Sequence, residues 1–171
     1  MQCPPLQITF LGTGTSGGIP MIGCECAVCH SQNPLDKRLR SSIMVESATT
    51  RLVVDTGPDF RYQMLRQKVK QLNAVVFTHP HKDHLAGLDD IRAFNYFSKK
   101  PMDVYADSLT EEALRRDFYY AFSDTRYPGI PELNLQTITE EIFWAGMLAI
   151  PKGQWEAARS TGLGPWGTLV H

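Results

Sequence analysis

Three histidines and one aspartate share six residues of the run Thr78-His79-Pro80-His81-Lys82-Asp83-His84. Imidazole and carboxylate are donors that suit Zn²⁺, Fe²⁺ or Mn²⁺. In extended backbone, side chains two residues apart point to the same side, so His79 and His81 can grip one ion. Asp83 and His84 follow where the chain turns into a helix expected to begin near Leu85, and they can reach a second ion beside the first. Two such ions, ~3.5–4 Å apart, activate a bridging hydroxide and clamp a phosphoryl or acyl oxygen. The chain has five histidines in all. Three of them beside an aspartate, at the end of an apolar strand, argue against a chance surface loop.

A second donor set is Cys24, Cys26 and Cys29, which offers three thiolates, one short of a closed tetrahedral zinc site. His30 comes next, but a ligand directly following another rarely reaches the same ion without strain. The N-terminus, Met1 to Pro5, has neither the charged nor the apolar region of a leader, so the expected compartment is the cytosol. Thiols stay reduced there, and clustered cysteines bind metal more often than they pair. Cys3 stands alone and is assigned no role. Gly12-Thr-Gly14-Thr-Ser-Gly17 fits a G-x-G-x-x-G pattern after a strand, but no helical stripe opens at its end. A dinucleotide site is therefore not expected. The glycines are instead read as letting this loop pass close to the metal centre. No Lys-Ser or Lys-Thr follows, which excludes a Walker A loop.

The elements that must position these groups read as an α/β pattern. Strands are expected at 6–11, 42–46, 51–55, 74–77 and 104–106, with a further one around Leu133, Leu135 and Ile138. Helical spacing predicts a helix over 60–70 and another through Leu85, Leu88, Ile91 and Phe94. Ser108 and Glu111 form a capping-box pattern that opens a helix to about Phe118. Beyond Phe143 no period is sustained, and the three tryptophans crowd into 144–166.

The totals bound the rest. At 171 residues, 43% hydrophobic and 20% charged, the composition is that of one globular domain. With a formal charge of −1 and no long basic run, a broad nucleic-acid face is not indicated. No stretch approaches the ~20 apolar residues that span a bilayer.

His79-x-His81-x-Asp83-His84, after an apolar strand and before Leu85-Ala-Gly-Leu88, resembles the H-x-H-x-D-H signature of the metallo-β-lactamase superfamily. Leu11-Gly12-Thr13-Gly14 and Val54-Asp55-Thr56-Gly57-Pro58-Asp59 are similar to the family as well. The resemblance implies that His79 and His81 bind one metal, and Asp83 and His84 the other. It makes Asp83 and Asp55 the catalytic carboxylates, with Asp55 lying under the metal loop to orient a ligand imidazole. It implies two divalent ions, zinc or manganese. The cysteine spacing resembles a branch that includes the phosphodiesterase of the carbon–phosphorus lyase pathway, in which three cysteines and a late histidine hold a structural zinc. A branch linked to pyrroloquinoline quinone synthesis has a similar clip.

The superfamily fold is two αβ halves packed sheet on sheet, and both halves donate ligands. After His84 the only histidine is His171, which has no flanking motif and receives no role. The expectation is therefore the first half of an αββα sandwich, incomplete, over 1–142, followed by a divergent tail, 143–171. One sheet without its partner should leave an inner apolar face uncovered, expected at Val53, Val75 or their neighbours. The expected function is hydrolysis of a small cyclic or nucleotide-like phosphodiester, with a metal-held hydroxide as nucleophile. A homodimer, no membrane and no nucleic acid complete the expected partners. The alternatives are an RNA-processing endonuclease of the same superfamily, and a non-catalytic remnant or binding module. The chain by itself is expected to be inactive.

Overall fold

A computed structural model describes residues 6–124 and 127–139. Cys3, the tail 143–171 and His171 lie outside the described residues. One compact unit runs to Thr137. It is a six-stranded sheet in sequence order: β1 (Gln7–Gly12), β2 (Ser42–Glu46), β3 (Arg51–Val54), β4 (Ala74–Val76), β5 (Met102–Ala106) and β6 (Leu133–Thr137). The first three strands pair antiparallel, and β3 to β6 pair parallel.

This topology decides which face is covered. Parallel neighbours need crossover connections, and crossovers are right-handed. Three successive crossovers stepping the same way along the sheet bring their helices to one face. The connections are α2 (Phe60–Arg66) after β3, then α3 (Lys82–Leu85) and α4 (Arg92–Ser98) after β4, and α5 (Ser108–Asp117) with α6 (Tyr119–Phe122) after β5. Burial follows. Met44, Val53, Val75 and Val104 sit side by side in register, and the last three are 0% exposed. They pack with Phe60, Leu85, Leu88, Ile91 and Leu114 into one core.

Of the face expected to lie uncovered, at Val53, Val75 or their neighbours, it is the neighbours that qualify, by one residue of parity. Side chains alternate across a strand. The opposite face carries Ile8, Phe10, Ile43, Val45, Leu52, Val54 and Val76. Of these, Ile8 is 57% and Phe10 68% exposed. In the two-sheet sandwich that the sequence implies, this is the face that meets the second sheet.

Local departures from the sequence reading have identifiable causes. The expected single helix through Leu85 and Phe94 is three short pieces: α3, a 3₁₀ turn at Leu88–Ile91, and α4. It is interrupted because the Gly87 amide donates to Thr56 O at 2.7 Å, outside the helix ladder. The α2 helix stops at Arg66 rather than near Lys70. Lys68 adopts φ 54°, and the Val69 amide turns back to Met64 O, a left-handed helix ending. The cap of α5 is Asp107, whose side chain accepts from the Thr110 amide at 2.8 Å. Glu111 is not a capping partner of Ser108, because its carboxylate serves Arg115 and Thr137.

Candidate metal centre

The signature histidines leave the C-terminal end of β4, where open parallel sheets place their ligands. The rings of His81 and His84 lie 4.6 and 4.0 Å, centroid to centroid, from that of His79. Asp83 and His84 fall inside α3 rather than before a helix at Leu85. The structure therefore brings the rings of His79, His81 and His84 together, with Asp83 against His84 Nε2 and Asp55 against its Nδ1.

Asp55 is the hub of this cluster. It is 5% exposed and stands at φ 64°, a left-handed conformation that few non-glycine residues adopt. Its Oδ1 accepts from the Thr78 amide at 2.9 Å, and its Oδ2 from the Thr78 hydroxyl at 2.8 Å. His84 Nδ1 lies 2.8 Å from the same Oδ2. A carboxylate can only accept, so His84 carries a proton on Nδ1, and in the neutral ring this leaves the Nε2 lone pair free. The Thr78 hydroxyl, having given its proton to Asp55, can only accept from His79 Nδ1, 2.9 Å away. That fixes the same tautomer on His79. Thr78 is thus an orienting residue that the sequence reading passed over. Its only signal there was its place directly before His79.

Electrostatics point the same way. Burial, followed by the neighbouring His84 and His81, pushes the His79 pKa below the ordinary histidine value, so the ring is held neutral, as a metal ligand must be. His84 Nε2 meets Asp83 Oδ2 at 3.3 Å. In the tautomer with its one proton on Nδ1, two acceptors face one another there, an arrangement that a cation between them satisfies. The donor set fits a divalent ion on that ground.

Two glycines let the loops nest. A Cβ on Gly57 would stand 2.2 Å from Asp83 O, and one on Gly87 would stand 2.2 Å from Gly57 O. Gly12 and Gly14 let their loop approach a neighbouring segment closely. Their neighbours are the backbone oxygens of Arg38, Leu39 and Arg40 rather than the histidine loop. The Gly14 amide donates to Leu39 O at 2.7 Å. Arg40 then locks this layer to the start of α2: its amide and guanidinium reach Asp59 at 2.8 and 3.0 Å, and its carbonyl accepts from Gln63.

The cysteines form a separate cluster. The Sγ atoms of Cys24, Cys26 and Cys29 all lie within 4.8 Å of one another, all three thiols are free, and His30 is not part of the group. The Cys29 amide, then the thiols of Cys24 and Cys29, lower the Cys26 pKa to about 7. Soft thiolates at this spacing fit three of the four positions around zinc.

A half-sandwich with helices on one face and a histidine–aspartate cluster at the end of its central strand is the layout of metallo-hydrolases of the lactamase fold. The chain belongs to this superfamily: the beta-lactamase superfamily domain matches residues 50–160. It is 40% identical over 131 residues to an octanoyltransferase of Porphyromonas gingivalis, covering 76% of this chain and 26% of that protein. It is 31% identical over 127 residues to the ribonuclease Z of Acaryochloris marina, covering 72% of this chain and 36% of that protein. Among solved structures it resembles a diphosphatase of the PhnP family, at 39% identity and a TM-score of 0.69, covering 79% of this chain and 51% of the other. Zinc-bound PqqB from Methylobacterium extorquens shares the fold, at 24% identity and a TM-score of 0.61. The chain thus spans about a quarter to a third of these curated relatives, and about half of the diphosphatase. Among the described residues no helix is long and apolar enough to cross a membrane.

Proposed function

We propose that this chain carries the first metal-binding half of a phosphodiester hydrolase, acting on a small cyclic or nucleotide-like substrate. The observation that carries the reading is the oriented pair of imidazoles. Asp55, directly and through Thr78, engages Nδ1 of both rings, which leaves His79 Nε2 open as a donor and sets His84 Nε2 beside Asp83. Two divalent ions, zinc or manganese, bound by His79 with His81 and by Asp83 with His84, would supply Lewis acidity and a water activated near neutral pH. The protein's own part is to fix tautomers, hold the His79 ring neutral and set Asp83 beside His84. Cys24, Cys26 and Cys29 would hold a structural zinc.

The substrate class follows from what the relatives share. A diphosphatase and a ribonuclease both act at a phosphoryl centre, the group that a two-ion clamp polarises. The octanoyltransferase match occupies only 26% of that protein, so its named chemistry need not reside in the matched part. A small substrate is favoured over RNA because the formal charge of −1 offers no broad basic track. The residues assigned here supply four donors. Third ligands and a bridging carboxylate must come from elsewhere, so the chain by itself should turn over poorly.

The test is hydrolysis of bis(p-nitrophenyl) phosphate, after loading with Mn²⁺ or Zn²⁺, beside a cyclic nucleotide and a structured RNA. Negligible turnover by this chain is expected. Once the remaining half of a diphosphatase-like fold is fused to it, turnover of the small diesters should appear and be lost on His81→Ala. Cleavage of the RNA alone would overturn the small-substrate reading.

A further inference from the structure

The ion pair of Lys82 with Asp117 borders the metal cluster but is part of neither it nor the core. Lys82 stands between two assigned donors, His81 and Asp83, and its side chain is 63% exposed. Its Nζ lies 2.5 Å from Asp117 Oδ2, at the last residue of α5, and 5.8 Å from the centre of the Phe118 ring. Asp117 is the less exposed partner, and it also accepts from Arg116 Nε at 2.9 Å.

The pair could serve as an anchor or as a sink for charge, and magnitudes separate these roles. Exposed lysine–carboxylate pairs hold two elements together only weakly. The same stretch is already fixed by the hydrogen bonds of Asp55 and by the close approaches at Gly57 and Gly87. Charge is another matter. A unit positive charge about 6 Å from a divalent ion, even at water-like screening, changes that ion's affinity roughly tenfold. A lysine flanked on both sides by metal donors has the reach to bring its ammonium that close.

We propose that Asp117 holds the Lys82 ammonium away from the His79–His84 donors, and that this preserves the loop's affinity for divalent cations. Asp117 is then a positioning residue that acts on charge through Lys82. The inference rests on the reading of the loop as a metal site.

Mn²⁺ is the suitable probe, because its preference for oxygen and imidazole donors keeps it off the thiols. Free Mn²⁺ is counted by electron paramagnetic resonance during titration of the full chain, at low and high salt. The proteins compared are the unaltered chain, D117N, K82Q and the double variant. D117N should bind roughly tenfold more weakly, and the deficit should shrink at high salt. K82Q should bind two- to threefold more tightly, because the loop loses its one positive charge between the donors while Asp117, still paired with Arg116, stays in place. The double variant should match the unaltered chain or exceed it. If K82Q weakens binding as D117N does, the pair is an anchor and the proposal is wrong. Equal affinities in all four proteins would also overturn it, and would leave the metal reading intact. No Mn²⁺ bound by any of them would overturn the metal reading, and this proposal with it. If circular dichroism shows that D117N does not fold, K82Q decides alone: tighter binding supports the proposal, and unchanged or weaker binding overturns it.

Discussion

His84 Nδ1 and Asp55 Oδ2 stand 2.8 Å apart, and Asp55 makes that contact from a left-handed backbone conformation. Such a conformation costs roughly 1–3 kcal/mol and persists where the surroundings over-determine it. Here the Thr78 amide, the Thr78 hydroxyl and the His84 ring all converge on one carboxylate. Asn tolerates the left-handed region, so Asp55→Asn should keep the backbone while removing the charge that orients both rings. The expected outcome is a native-like circular dichroism spectrum with Mn²⁺ affinity reduced by about 10- to 100-fold. Unchanged affinity would show that the carboxylate is structural only.

Gly57 and Gly87 should tolerate no side chain. In Gly57→Ala the new methyl would meet Asp83 O, and in Gly87→Ala it would meet Gly57 O and the Phe60 Cβ. Each substitution should destabilise the unit by about 1–3 kcal/mol or more, read by urea denaturation, and should reduce metal affinity as well. A stability loss without loss of metal binding would separate the nesting of the loops from the geometry of the donors.

The two faces of the sheet should respond differently to substitution. Val53 is fully buried beneath the helices, so Val53→Ala should cost about 1–3 kcal/mol. Phe10 is 68% exposed on the opposite face, so Phe10→Ser should stay within about 0.5 kcal/mol and raise solubility. If Phe10→Ser destabilises as much as Val53→Ala does, the assignment of the faces fails.

Much of this was legible in the residues, for physical reasons that differ from one feature to the next. The strands around Val53, Val75 and Val104 declare themselves as apolar runs bounded by turns. The six-residue histidine cluster declares its chemistry by composition. Parity was not legible: whether Val53 or Val54 faces the helices depends on register and crossover direction, which no single strand encodes. The break of the helix at Gly87 depends on a bond to Thr56, 31 residues away, and the role of Thr78 depends on Asp55 lying beneath it. Gly12 and Gly14 could be read as a close backbone approach, but the partner segment, Arg38 to Arg40, has no signature of its own.

Asp117 gives the chain a specific acid response. Arg116, then Lys82, hold its pKa at about 2, below the ordinary 3.8. A carboxyl depressed in the folded state contributes stability that is complete above the unfolded value, and it is lost as pH falls through the folded one. In thermal melts, unaltered protein should exceed D117N by under about 1 kcal/mol at pH 6, and the two should converge between about pH 4 and pH 2. A gap that widens on acidification would contradict the sign.

The central claim is that the loop from His79 to His84 holds metal. Zinc counted by mass spectrometry on the purified chain, beside Cys26→Ser, His81→Ala and the two together, tests it most directly. Cys26→Ser should remove the clip's share, His81→Ala should remove the loop's share, and the double variant should be close to metal-free. Zinc that is unchanged by His81→Ala, and abolished by Cys26→Ser alone, would contradict it.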